Sequence, residues 1–156
     1  MKGNEKTIAT MNMLLADELT AISQYMVHSE MCNNWGYARL HKAVEERAKD
    51  EMDHAELLIG RIIFLEGMPV VNKIHAMHIG SAVADQFAHD HEAESGAVNN
   101  YNAAIKEAGD LGDNGTRDLL TSILKEEEGH IDWLEAQQDQ IAQMGIQVYL
   151  SIQVKE

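Results

Sequence analysis

Three residues of this chain occur twice in one arrangement. Glu18, Glu51 and His54 recur as Glu94, Glu127 and His130, displaced by 76 residues each time, and each isolated Glu precedes its E-x-x-H by 33. On a helix, positions i and i+3 share a face, so each E-x-x-H presents a carboxylate and an imidazole in one direction. Two such faces plus two further carboxylates supply six ligands for a pair of metal ions held between helices. Chance alone gives roughly 0.8 E-x-x-H pairs in a chain of this composition, so the two motifs carry little weight by themselves. The equal lead of 33 residues carries more. Tyr25 and Tyr101 obey the same displacement, each seven residues after its isolated Glu.

The rest of the pattern is helical. One proline, Pro69, interrupts a chain whose apolar residues recur at helical spacing almost throughout. A first run spans about Glu5 to Asn34 and stops near Asn33-Asn34-Trp35-Gly36; a second spans roughly Tyr37 to Glu66 and ends at Gly67 and Pro69. A third begins behind Ser81, a candidate N-cap, and reaches Gly109; a fourth follows Gly112-Asp113-Asn114-Gly115 and reaches Gly145. Short breaks within each half make each an antiparallel hairpin. The link from about Gly67 to Gly80 is longer and has no clean period. A helix of about 28 residues is roughly 42 Å long, and 14 extended residues reach about 46–50 Å, so the link can run the height of a bundle. The expected fold is all-α, a four-helix bundle with one long crossover, the ferritin-like connectivity. Glu18, Glu51, Glu94 and Glu127 all fall near the middle of their helices. Midpoints meet whichever way each helix runs.

Composition narrows the function. At 156 residues the chain reads as one domain, 1–156. A formal charge of −14 disfavours nucleic acid, which needs basic surface, and suits a protein that attracts cations. No run of 18 apolar residues reads as a membrane span, and the opening Met1 to Glu5 does not read as a signal peptide. The single cysteine, Cys32, cannot form an internal disulfide and fits a reducing cytoplasm.

Mixed carboxylate and imidazole ligation suits iron, manganese or zinc. Glu51 and Glu127 are placed to bridge two ions about 3.5–4 Å apart. Each ion then takes a terminal pair, Glu18 with His54 and Glu94 with His130. Met52 sits roughly 130° from the Glu51/His54 direction at about 100° per residue, so it points out of the bundle. Glu46 and Asp50 form an acidic i, i+4 pair that reads as a solvated face, and His75 and His78 of the link read as surface residues.

The segments MKG, ADELTAISQY, DEMDHAE, RIIFLEGMP, EEEGHIDWLE and MGIQVYLSIQ follow one another in the order seen in bacterioferritins, and the chain resembles that family from Met1 to Val154. The resemblance implies a short fifth helix near Ile146 to Val154 and a homo-oligomeric hollow shell of 24 subunits built from two-fold dimers. It implies a di-iron centre at Glu18, Glu51, His54, Glu94, Glu127 and His130 that oxidises Fe(II) and feeds ferric iron to a mineral inside. Tyr25 resembles a family tyrosine beside that centre, a candidate one-electron donor, whereas Tyr101 reads as core filling and Trp133 as packing. Met52 matches the methionine that binds haem b between two subunits, although Glu45 and Lys49 stand where relatives commonly carry an aromatic and an apolar residue. A small electron-donor protein is the implied partner for iron release. The rivals are a di-iron peroxidase, which lacks its rubredoxin-like Cys pairs here, and a mini-ferritin, whose ligands lie between subunits.

Overall fold

The computed structural model describes residues 1–155. It contains α1 (Glu5–Asn34), α2 (Ala38–Phe64), α3 (Val83–Asp110), α4 (Asn114–Met144) and the short α5 (Ile146–Ser151). The α1–α2 and α3–α4 hairpins pack most extensively within themselves, as their short connections require. Side-chain pairs fix the directions. Thr10 meets Glu107, Glu18 meets Tyr101 and Gln24 meets Asp90, so α1 and α3 are antiparallel.

Local chemistry sets most helix ends. Asn4 caps α1 by accepting from the Lys6 N–H at 2.8 Å, and Asp113 caps α4 by accepting from Thr116 N–H at 3.0 Å. Arg61 of α2 reaches both Asp113 (2.9 Å) and the Thr116 hydroxyl (2.9 Å), tying the end of one hairpin to the turn of the other. Ser81 is not the cap of α3. Ala82 holds that position, and the Ser81 hydroxyl instead donates to the Asp85 carboxylate at 3.0 Å. The chain crosses the first turn of α3 so closely that a Cβ on Gly80 would stand 2.3 Å from the Gln86 nitrogen. That approach displaces Ser81 from capping position.

The crossover between α2 and α3 is held by a polar ladder. Asn12, Thr20, Gln24 and His28, spaced by multiples of four along one stripe of α1, accept from the backbone N–H groups of Val70, His75, His78 and Gly80. The contacts advance along α1 as the link advances, so the link runs parallel to α1 for most of its height. His28 accepts from Gly80 at Nε2, which leaves Nδ1 to donate to Asp90 at 2.9 Å. Gln24 donates to the same Asp90 oxygen. A fully buried histidine thus anchors both the link and α3 to α1.

The core is layered along the bundle axis. Met11, Leu14, Leu15, Leu58, Ile62, Leu120 and Ile123 fill one end. Cys32, Leu40, Val83, Phe87, Leu134 and Tyr149 fill the other, where α5 folds back and Tyr149 donates to Gln137 at 2.7 Å. Gly145 enables that turn with φ of +81°, a left-handed backbone that glycine adopts without strain. Trp133 packs edge-on against Phe87 beside this cluster. Between the two apolar layers lies a polar one. No described helix is long and apolar enough to cross a membrane.

Candidate metal centre

The middle of each long helix sends carboxylates or imidazoles to one point. Glu18 comes from α1, Glu51 and His54 from α2, Glu94 from α3, and Glu127 and His130 from α4; all six are buried. Their ligand atoms form two overlapping quartets, Glu18–Glu51–His54–Glu127 and Glu51–Glu94–Glu127–His130, each with atoms within 4.8 Å of one another. Glu51 and Glu127 belong to both. Glu18 and His54 complete one quartet and Glu94 and His130 the other.

The histidines face the quartets with Nδ1. That atom of His54 lies 3.0 Å from Glu51, 3.2 Å from Glu127 and 3.7 Å from Glu18. In His130 it lies 3.1 Å from both Glu51 and Glu127 and 3.3 Å from Glu94. The rings are near-parallel, with centroids 6.1 Å apart. Glu51 Oε1, Glu127 Oε2 and His130 Nδ1, all buried at the convergence, have no hydrogen-bond partner beyond their 3.1 Å ionic contacts with one another. Carboxylates crowded together in a buried layer are costly unless they are paired or coordinate a cation. Oxygen and nitrogen donors turned toward a common centre fit divalent cations of the iron, manganese and zinc type.

Outside the quartets two further carboxylates hold the rings. His54 Nε2 bonds Glu126 at 2.9 Å, and His130 Nε2 bonds Asp50 at 3.2 Å. Each partner comes from the opposite E-x-x-H helix and immediately precedes that helix's shared glutamate. Carboxylates in this position fix ring orientation and raise ligand basicity. Asp50 is therefore not simply half of a solvated acidic pair with Glu46. The pair Asp50/Glu126 obeys the 76-residue displacement, a signal present in the sequence but not read there. Tyr101 likewise does more than fill the core. Its hydroxyl donates to Glu18, as the Tyr25 hydroxyl donates to Glu94, so each tyrosine serves the glutamate of the other half.

Electrostatics follow from this crowding. Burial and the neighbouring Glu51 and Glu127 charges hold Glu18 and Glu94 well above the ordinary carboxyl range, against the pull of the histidines. Burial would also raise Glu51 and Glu127, but hydrogen bonds from His130 and His54 bring both below it. Burial works against charge on His130, yet its bonds to Glu127, Glu51 and Glu94 push it up to about 12, and the counterpart bonds raise His54 strongly. Burial and nearby carboxylates keep Tyr25 and Tyr101 protonated as donors. Pairing thus favours charge on the two imidazoles and on Glu51 and Glu127, whereas burial favours the neutral form of Glu18 and Glu94.

One cavity of about 270 Å³ leads to this layer between α1, α3 and the crossover. Glu18, Glu51, Glu94 and Glu127 contribute to its lining, with Asp17, His75, His78, His89 and Glu92. Ala21, Ala93, Gly96 and Ala97 keep it open; a Cβ at Gly96 would meet nothing within 4 Å. Met52 stands away from the centre on α2 and is 48% exposed.

A four-helix bundle with one long crossover and a carboxylate–histidine double quartet at mid-height defines a class, the ferritin-like domain, and the family model of that description matches residues 8–144. The chain is 40% identical over 149 residues to a bacterioferritin of Brucella melitensis, covering 96% of this chain and 92% of that protein. It is 39% identical over 137 residues to a bacterioferritin of Rhodobacter capsulatus, covering 88% and 85%. A bacterial ferritin of Synechocystis is 36% identical over 155 residues, 99% of each chain. The chain belongs to the bacterioferritin family.

Proposed function

We propose that the chain is an iron-storage ferroxidase. Two Fe(II) ions enter the double quartet as substrate, each lose one electron, and leave as Fe(III) for a hydrated ferric oxide stored in a shell of 24 subunits. Dioxygen takes the two electrons with two protons to give hydrogen peroxide, or peroxide takes them with two protons to give two waters. The observation that carries this reading is the sharing of buried Glu51 and Glu127 between two otherwise separate ligand sets. Shared carboxylates hold two ions close enough to deliver two electrons to one oxidant.

The residues have distinct work. Glu18 and Glu94 give up protons as ions arrive, and Tyr101 and Tyr25 orient their carboxylates by donating to them. Tyr25, buried and in contact with Glu94, is the candidate one-electron donor. Glu126 and Asp50 keep the imidazole rings turned so that Nδ1 faces the ions.

Haem b is proposed at a two-fold contact between subunits, with Met52 as its sulfur ligand. The exposed Met52 fits, and half-buried Leu19 and Ile22 with exposed Met26 of α1 are apolar candidates for the surrounding wall. Lys49 and Glu45, one and two turns before Met52, form a 3.4 Å ion pair, so part of the surrounding wall is charged rather than apolar. Bound there, haem supplies one-electron transfer for release of stored iron, with electrons from a small donor protein. Apolar residues left exposed at Leu57, Ile63, Phe64, Val148, Ile152 and Val154 are consistent with burial between subunits.

Changing Glu18 or His130 to Ala removes a ligand from one set. Stopped-flow oxidation of Fe(II) should lose its fast phase while sizing still gives a shell near 420 kDa, from 24 copies of 17.4 kDa. Unchanged fast oxidation in both variants contradicts the reading. In the Met52→Ala variant haem absorption should vanish while the fast phase persists.

A further inference from the structure

The outer end of the cavity carries a second set of metal-ligating side chains, and we propose that His78 and His89 form a separate docking site for a divalent cation on its way to the buried centre. His78 belongs to the crossover and His89 to α3; their ring centroids lie 5.8 Å apart with planes tilted by 55°. An ion held by one nitrogen of each ring, at about 2.0–2.1 Å, places two imidazole centroids roughly 5–6.5 Å apart. The observed spacing falls within that range without movement of the crossover or of α3.

Three further observations point to a ligand here. His89 Nδ1 is buried and has no hydrogen-bond partner, the condition of a donor atom waiting for one. His78 is held in place: its own N–H donates to Gln24 at 3.2 Å, and two residues on Gly80 donates to His28. The loop that carries it is thus pinned on both sides by buried side chains, as a preorganised ligand requires. The surroundings favour a cation. Glu92 and Asp17 line the same cavity, and Asp17 already holds His75 at 3.2 Å. A pair of imidazoles suits borderline divalent ions such as Fe(II), Co(II) and Zn(II) better than Mg(II) or Ca(II).

The placement gives the site its purpose. His78 and His89 line the same cavity as Glu18 and Glu94, the terminal carboxylates of the two quartets. A cation caught from dilute solution at the mouth is passed inward to stronger, more negative ligands. The identity of the cation as Fe(II) rests on the ferroxidase reading; the site itself does not.

Crystals of the assembled protein soaked in Zn(II) and measured at the zinc edge test this. Wild type should show two anomalous peaks in the double quartet and a third between His78 and His89. The variant His78→Ala, an exposed position whose loss leaves the core intact, should lose only the third. Zinc binding at the mouth should weaken at least about tenfold in that variant. Fe(II) oxidation in it should need a higher Fe(II) concentration for half-maximal rate, with the saturating rate unchanged. A midsection filled beside an empty mouth, or a third peak that survives in His78→Ala and in His89→Ala, overturns the docking site. A filled mouth beside an empty midsection instead leaves it standing and overturns the ferroxidase reading.

Discussion

Loading the buried centre with metal should release protons, and their number follows from the side-chain arrangement. Before metal binds, the carboxylates at Nδ1 favour the charged form of His54 and His130, and burial favours the neutral acid form of Glu18 and Glu94. Glu51 and Glu127 supply the two negative charges that balance the two imidazoliums. Two divalent ions need neutral imidazoles and ionised carboxylates. Four protons therefore leave for each pair of ions, two from histidine and two from glutamate, and the layer stays electrically neutral before and after. Each linked proton changes the apparent constant about tenfold per pH unit, or about 1.4 kcal/mol. Binding of the pair should therefore weaken by up to about 10⁴ for each unit of acidification. Anaerobic calorimetric titration with Zn(II), repeated in two buffers of different ionisation enthalpy, counts the protons without redox chemistry. A value near four supports the assignment. A value of zero or one would mean neutral histidines facing four ionised glutamates, and would refute the charge arrangement.

Other consequences concern stability, ring orientation and access. In the metal-free protein the raised His54 and His130 favour folding below their unfolded value of 6.5 and lose that contribution as pH rises. The lowered Glu51 and Glu127 favour folding above 4.5 and lose theirs as pH falls, whereas the raised Glu18 and Glu94 lose theirs as pH rises above 4.5, so the site's support for the apo fold should be greatest near 4.5 and fall on either side in a thermal-melt series. A melting profile of the apo protein that stays flat on both sides of pH 4.5 would contradict the pairing. The double change Asp50→Asn and Glu126→Gln should weaken metal binding by about 10–100-fold while the shell still assembles, as read by competition with a chelator; unaltered affinity would show that the outer carboxylates are idle. Gly96→Leu places a side chain into the open cavity and should slow Fe(II) entry without altering the number of ions bound at equilibrium, which unaltered stopped-flow rates would disprove.

Much of this was legible in the chain because duplication leaves a periodic trace. The 76-residue displacement picked out six side chains that the fold buries together at mid-height, and helical spacing with the breakers at Gly36, Gly67, Gly112 and Gly145 placed the long helices to within a few residues. The same displacement also carried Asp50 with Glu126, which lie next to the shared glutamates and read as ordinary surface charge. Tyr101 obeyed it too, but an aromatic at a core-facing position gives no sign that its hydroxyl reaches the glutamate of the other half. The crossover was legible only as a length. Its backbone is held by Asn12, Thr20, Gln24 and His28, polar residues whose spacing looks like a solvent-facing stripe until a second chain segment lies on it. His78 and His89 were unreadable for the same reason: the link that brings them together has no period of its own.

The central claim is that one subunit closes around two cations through shared glutamates, and anaerobic addition of Fe(II) to the iron-free shell tests it most directly. Mössbauer spectra of the ⁵⁷Fe-loaded protein should show tight uptake of two ferrous ions per subunit, both converting to coupled ferric iron on mixing with oxidant. Uptake that stops at one ion per subunit, or ferric iron with no magnetic coupling, would contradict it.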